Sequence, residues 1–83
     1  MLTIKVLGPG CENCKRLAWL AERAVNHLSI EARIEKVTDY TKITEYPILS
    51  TPGLVINEKL VASGRIPSEA EITTFLTDAL ETA

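Results

Sequence analysis

Across one short turn, the chain changes from the periodicity of a strand to that of a helix. In residues 2–7 apolar side chains alternate with Thr3 and Lys5, which is the period of two expected of a strand. A Gly-Pro-Gly turn at residues 8–10 ends that strand. The apolar residues that follow recur at helical spacing and share one face: Cys14, Leu17, Ala21, Ala24, Val25 and Leu28. A strand that turns directly into an amphipathic helix predicts an α/β fold.

The middle of the chain contains the pattern of a second strand and of a short helix. Residues 30–37 alternate apolar and polar side chains and predict a strand. A short helix is expected over residues 40–46, capped at its start by Asp39 or Thr38. Pro47 is expected to end that helix, because the residue before a proline is pushed out of the helical conformation.

The C-terminal part predicts a hairpin and a final helix. The segments LVIN and KLVAS are two short strands that meet at Asn57 and Glu58. Ser68 and Glu71 have the spacing of a capping box, which marks the start of a helix. The apolar face of that helix is expected to consist of Ile72, Phe75, Leu76 and Leu80.

The resulting order, β-α-β-α-β-β-α, predicts a four-stranded mixed sheet flanked by helices. Strands joined through a helix normally form a right-handed parallel crossover, whereas the last two strands pair antiparallel at one side. With 83 residues, the chain is expected to form one domain over residues 1–83. The turn at residues 8–11 then lies at the carboxyl end of a strand, where binding sites of open α/β sheets occur.

Composition excludes several classes of partner. Nine basic and eleven acidic residues give a net charge of −2, and no cluster of Lys and Arg marks a nucleic-acid surface. No apolar run approaches the roughly 18 residues of a membrane span, and the N-terminus lacks a secretory signal pattern. We therefore expect a cytoplasmic protein that binds neither nucleic acid nor membrane.

The two cysteines, Cys11 and Cys14, are three positions apart where the first helix begins. A reducing compartment keeps structural thiols reduced, so the pair is not a disulfide scaffold. Near the N-cap, Cys11 would face unpaired N–H groups and the positive end of the helix dipole, which favour a thiolate. Cys14 lies one turn further, on the apolar face, and can approach the Cys11 sulfur to resolve a mixed disulfide. A redox dithiol, a soft-metal clamp and two buried structural thiols all remain open here.

These features resemble the thioredoxin superfamily, in particular its small thioredoxin-like and glutaredoxin-like redox-active disulfide proteins. The resemblance rests on the element order, on GCENC at residues 10–14 and on STPGLVIN at residues 50–57. It implies that Cys11 is the exposed nucleophile and that Cys14 resolves. It also implies that Pro52 follows a cis peptide bond facing the dithiol and that the backbone of Thr51 pairs with the substrate polypeptide.

The function implied by the resemblance is that of a thiol-disulfide oxidoreductase. It would reduce protein disulfides through the motif Cys11-Glu12-Asn13-Cys14, with the Cys11–Cys14 disulfide as its redox group and no separate cofactor. Its partners would be disulfide-containing client proteins and a thioredoxin-reductase-like or other dithiol reductant. The chain departs from thioredoxins at Lys5, where they usually carry a buried acid.

The alternatives use the same dithiol without turnover, as a soft-metal-binding or protein-interaction module. A metal-transport domain of the ferredoxin-like type also places Cys-x-x-Cys between its first strand and helix, but its element order differs. A zinc site within the chain is not expected, because His27 lies about three turns from Cys14. Trp19 is expected to be covered by a neighbouring element or to mark a dimer contact, and Tyr40 and Tyr46 to pack against the sheet.

Overall fold

Seven elements follow one another in the predicted order. The computed structural model describes residues 2–10, 12–48 and 50–82. The elements are β1 (Leu2–Leu7), α1 (Glu12–Leu28), β2 (Ala32–Val37), α2 (Tyr40–Ile43), β3 (Gly53–Ile56), β4 (Lys59–Ser63) and α3 (Glu69–Thr82). None of the helices in these described ranges is long and apolar enough to cross a bilayer.

The four strands form one mixed sheet in the order β2-β1-β3-β4, which confirms the predicted fold class. β1 and β2 are parallel, with Leu7 opposite Val37, whereas β3 is antiparallel to both β1 and β4. Beyond the last residue of β1, the N–H of Gly8 donates to the carbonyl of Val37 at 2.9 Å. The turn after β1 is therefore fixed beside the carboxyl end of β2.

The main core lies between the sheet and the helices α1 and α3. Leu2, Ile4 and Val6 alternate along β1 and are buried on this face. They pack with the buried face of α1, which consists of Cys14, Leu17, Ala18, Ala21, Ala24 and Val25. Ile72 and Leu76 of α3 complete the core. Each fully buried aliphatic side chain contributes about 1.5–3 kcal/mol to the free energy of folding. Burial of this face therefore holds α1 against β1.

A smaller core covers the other face of the sheet. Leu7, Val55 and Ile43 of α2 are buried there, and Tyr46 and Ile48 pack partly buried against them. Asp39 caps α2, since its carboxylate accepts the N–H of Thr41 at 2.9 Å. The predicted Asp39 cap is confirmed.

Two predicted boundaries were wrong. Helix α2 ends at Ile43 and not at Pro47, because residues 44–46 continue as turns in which the N–H of Tyr46 bonds the carbonyl of Ile43 at 3.2 Å. The second strand begins at Ala32 and not at residue 30. Residues 29–30 instead close α1: Ser29 has φ 54°, and the N–H of Ile30 reaches back to the carbonyl of Val25.

Two large side chains that were expected to be covered, Leu80 and Tyr40, are exposed. Leu80 is 45 % exposed, because Ile72, Leu76 and Ala79 occupy the buried stripe of α3 and Leu80 lies about 100° beyond Ala79. Tyr40 is 60 % exposed, so it does not pack against the sheet.

Trp19 is 53 % exposed and is not covered by a neighbouring element. The Arg23 guanidinium lies 4.9 Å from the centre of its ring, and Arg23 Nε is 3.2 Å from Glu69 Oε1 of α3. The guanidinium of Arg23, which Glu69 of α3 holds in place, therefore lies against one side of the indole.

Candidate active site

Cys14 lies in the first turns of α1, close to the carboxyl end of β1. It is 5 % exposed, as expected from its place on the apolar face. The connection from β1 includes Gly10, whose φ of 92° is a conformation that side chains with a Cβ atom disfavour. Cys11 lies outside the described residues, so its position at the helix N-cap stays a prediction.

Gly8 lies directly against the sulfur of Cys14. A Cβ atom on Gly8 would come 2.1 Å from Cys14 Sγ and 3.3 Å from Cys14 Cβ. The same atom would lie 3.9 Å from Cβ of Thr51. The absence of a side chain at residue 8 is therefore what allows the buried sulfur and the Thr51 side chain to approach one another.

The loop that carries Thr51 and Pro52 is fixed by Gly64. The Thr51–Pro52 peptide bond is cis, and Pro52 is buried. The N–H of Gly64 donates to the carbonyl of Pro52 at 2.9 Å. Gly64 has φ 72°, and a Cβ atom there would lie 2.3 Å from Ser50 Oγ. Of the predicted site residues, the structure thus brings Cys14 and Thr51 to Gly8, and Pro52 follows Thr51 in the same loop.

A small pocket of about 20 Å³ opens beside Cys14. It is lined by Val6, Gly8, Gly10, Cys14, Lys15, Lys36 and Thr38. A larger groove of about 460 Å³ lies between β4 and α3, and none of its lining residues is a predicted site residue. The chemistry expected of the cysteines therefore belongs to the small pocket.

Comparison with known proteins agrees with this geometry. The family model of the thioredoxin domain matches residues 2–77. The chain belongs to the thioredoxin family. A thioredoxin of Methanocaldococcus jannaschii is 38 % identical over 81 residues, covering 98 % of this chain and 93 % of that protein. A thioredoxin of Methanothermobacter thermautotrophicus is 37 % identical over 76 residues, covering 92 % and 99 %.

Family membership confirms the predicted resemblance and supports a thioredoxin-like redox function in general. The ferredoxin-like alternative is wrong, because a short helix separates β2 from β3 and the last element is a helix. Within the described ranges, no three His, Cys, Asp or Glu side chains are grouped so that they could hold a metal ion.

Lys5, at the position where thioredoxins usually carry a buried acid, belongs to a polar cluster. Its ammonium donates to the Tyr46 hydroxyl at 3.0 Å and to Glu58 Oε1 at 2.5 Å, and the Tyr46 hydroxyl donates to Glu58 Oε2 at 2.8 Å. The hydrogen bond to Glu58, and then the one to Tyr46, raises the pKa of Lys5. The hydrogen bond from Lys5, and then the one from the Tyr46 hydroxyl, lowers the pKa of Glu58. The pattern of the sequence contained no signal for this cluster.

This cluster predicts a pH-dependent contribution to stability. A carboxyl with a lowered folded-state pKa stabilises the protein above its unfolded pKa of about 4.3, and that contribution is lost as the pH falls through the folded value. Lys5, whose pKa is raised, stays protonated throughout the acidic range, so the loss of the pair follows the protonation of Glu58. Glu58→Gln should therefore be less stable than the unsubstituted protein at pH 7, and the difference should shrink as the pH falls towards 3.

Urea unfolding at a series of pH values measures that difference. Glu22→Gln is the matched control, because Glu22 is exposed on α1 and forms no ion pair within the described part of the chain. A destabilisation by Glu58→Gln that stayed constant from pH 7 to pH 3 would contradict the charged hydrogen bond.

Proposed function

We propose that this chain reduces disulfide bonds of client proteins by dithiol–disulfide exchange, with Cys11 as the attacking and Cys14 as the resolving cysteine. The observation that carries the proposal is the position of Cys14. In a chain of the thioredoxin family, its sulfur is buried against Gly8, with the Thr51 side chain beside the same glycine. The spacing of Cys11 and Cys14 puts the two cysteines one helical turn apart.

In the first step, the Cys11 thiolate attacks one sulfur of the client disulfide. The client S–S bond breaks, a bond forms between Cys11 and that sulfur, and the second client sulfur leaves as a thiolate that takes up a proton. The first turn of α1 has N–H groups without intrahelical partners, and these favour the thiolate form of a cysteine just before the helix. The product of this step is a mixed disulfide.

In the second step, Cys14 loses its proton and attacks the Cys11 sulfur. The Cys11–Cys14 disulfide forms, and the client leaves with both of its sulfurs reduced, having received two electrons and two protons. Because Cys14 is 5 % exposed, a client disulfide cannot reach it before Cys11 has reacted. A dithiol reductant, such as a thioredoxin-reductase-like enzyme in the cytoplasm, then returns the pair to the dithiol state, with no separate cofactor on this chain.

Thr51 and Pro52 are proposed to hold the client beside the dithiol. Thr51 is half-buried next to Gly8, and its backbone groups make no hydrogen bond to any other residue within the described ranges. An extended client segment could pair with these groups in the manner of an added strand. Pro52 has no N–H and leaves that part of the loop without a competing donor.

The alternative function is a module that binds a protein or a soft metal through the dithiol without turnover. Turnover distinguishes the two. With excess dithiothreitol as the regenerating reductant, we expect each chain to reduce many equivalents of a peptide disulfide, measured against dithiothreitol alone. A pure binder would consume at most one equivalent per chain, and that result would contradict the proposed function.

A further inference from the structure

We propose that Lys15 and Lys36 select disulfides that carry a carboxylate next to the disulfide bond. This inference rests on the proposed function and names the class of client that the same site prefers. The chemistry of the exchange is unchanged, and the two lysines affect which disulfide is held beside the dithiol.

The two lysines come from different elements and meet at the pocket of Cys14. Lys15 follows Cys14 on α1, and Lys36 is the penultimate residue of β2. Both side chains are exposed, and both line the pocket of about 20 Å³ that Cys14 also lines. The parallel pairing of β1 and β2 produces this arrangement, since it places the end of β2 beside the turn that leads into α1.

Neither lysine is neutralised by a described residue. Ion pairs within the described ranges join Lys5 to Glu58, Arg23 to Glu69, Arg33 to Glu35 and Arg65 to Glu71, and none includes Lys15 or Lys36. The nearest acids along the chain are Glu12, three residues before Lys15, and Glu35, next to Lys36; Glu35 already pairs with Arg33, and Asp39 follows three residues after Lys36. The carboxylate of Asp39 already accepts the N–H of Thr41. Glu12, in the first turn of α1, opposes the positive charge of Lys15, whereas the positive end of the α1 dipole adds to it.

The size of the pocket decides where the client is recognised. A space of about 20 Å³ admits a group of roughly the size of one water molecule, so no whole side chain of a client enters it. The two lysines can therefore contact a client residue only at the mouth of the pocket. Cys11 precedes Cys14 by one helical turn in the sequence, so a carboxylate adjacent to the half-cystine that it attacks can reach this mouth and accept hydrogen bonds from an ammonium group.

The net charge of the chain limits the distance over which the two lysines can attract a carboxylate of the client. The net charge is −2, so the chain does not attract acidic clients from a distance. The preference must act at contact range, and it must weaken as salt shortens the screening length from about 10 Å at 0.1 M to about 3 Å at 1 M. It should follow the residue next to the disulfide and not the total charge of the client.

Matched peptides test this inference. Three peptides share one intramolecular disulfide and differ only in the residue after one half-cystine, which is Glu, Gln or Lys. With dithiothreitol as the regenerating reductant, we expect kcat/KM for the Glu peptide to exceed that for the Gln peptide by about three- to tenfold, and the Lys peptide to be slowest. The Glu-to-Gln ratio should fall towards one in Lys15→Gln/Lys36→Gln and in 1 M salt.

Lys59→Gln is the matched control, because Lys59 begins β4 beside the hairpin turn and does not line the pocket. It should keep the ratio of the unsubstituted protein. A second pair of probes, dithiodiacetate and hydroxyethyl disulfide, separates two sources of the carboxylate. A preference shared by this pair identifies the carboxylate alone as the recognised group, whereas one confined to the peptides identifies a polypeptide client, and either result supports the inference.

Two results would overturn the inference while leaving the proposed function intact. One is equal reduction of the Glu and Gln peptides, and the other is a ratio that the double substitution does not change. Failure to reduce any of the peptides catalytically would instead contradict the proposed function itself.

Discussion

Gly8→Ala is expected to destabilise the protein by about 1–3 kcal/mol and to slow resolution of the mixed disulfide. The added methyl group would lie 2.1 Å from Cys14 Sγ, a distance that two non-bonded atoms cannot hold. Cys14 is buried, so its sulfur can move away only by disturbing the packing of α1 on β1. Overpacking of this kind has costs of that size. Urea unfolding measures the first effect, and single-turnover reduction of a peptide disulfide measures the second.

A double-mutant cycle tests whether the contact with the Cys14 sulfur causes the loss of stability in Gly8→Ala. In a Cys14→Ala background, the sulfur is absent and the nearest remaining atom of residue 14 would be its Cβ, at 3.3 Å. Gly8→Ala should therefore cost much less stability in that background than in the unsubstituted protein. An equal cost in both backgrounds would mean that the methyl group meets something other than the Cys14 sulfur.

Cys11→Ser is expected to reduce catalytic turnover by about three orders of magnitude or more, to the rate of dithiothreitol alone. A serine hydroxyl does not form the anion at neutral pH, so the first S–S bond is not attacked. Cys14→Ser should abolish turnover to a similar extent for a different reason. Cys11 still attacks, but no second thiol releases the client, and the mixed disulfide accumulates.

The stability of these two variants separates chemistry from folding. Serine at residue 14 places a hydroxyl in a buried, apolar position, so some loss of stability is expected there. Cys14→Ala keeps the position apolar and should show the same loss of turnover. Catalytic turnover by either Cys14 variant at the rate of the unsubstituted protein would contradict a resolving role.

Much of the fold could be predicted because its elements are amphipathic over their own length. The alternation of Leu2, Ile4 and Val6 and the helical stripe through Leu17 and Ala21 each define one buried face. Local periodicity therefore predicted the order of the elements, and the rules for chain connections predicted the mixed sheet. The helix boundaries were less accurate, because the hydrogen bonds that end α1 and α2 involve turn residues with no apolar pattern.

The candidate site could be predicted in part. The burial of Cys14 follows from its place on the apolar stripe, whereas the approach of Thr51 depended on the resemblance to a known family. A glycine at residue 8 is compatible with close approach of another atom to the backbone. From the sequence, however, the Gly-Pro-Gly turn predicted only the end of the strand and not the contact of Gly8 with Cys14. The position of Lys36 beside Cys14 depends on how β2 pairs with β1, which periodicity does not determine.

Side chains whose surroundings are set by distant residues were the least predictable. Lys5 meets Tyr46 and Glu58 across 41 and 53 positions of the chain, so no local pattern predicted their cluster. Trp19 and Tyr40 are apolar by type, but whether another element covers them depends on the assembled structure. Hydropathy reports the tendency of a side chain to be buried and not the presence of a neighbour.

The most direct test of a redox dithiol at Cys11 and Cys14 is to expose Cys11→Ser and Cys14→Ser separately to a peptide disulfide. Mass spectrometry then measures whether the peptide has become attached to each variant. We expect Cys14→Ser to become linked to one peptide through residue 11, in a disulfide that dithiothreitol reduces. Cys11→Ser should remain unmodified, because Cys14 is buried. An adduct on Cys14 alone would contradict the assignment of the two roles, and no adduct on either variant would contradict disulfide exchange at this site.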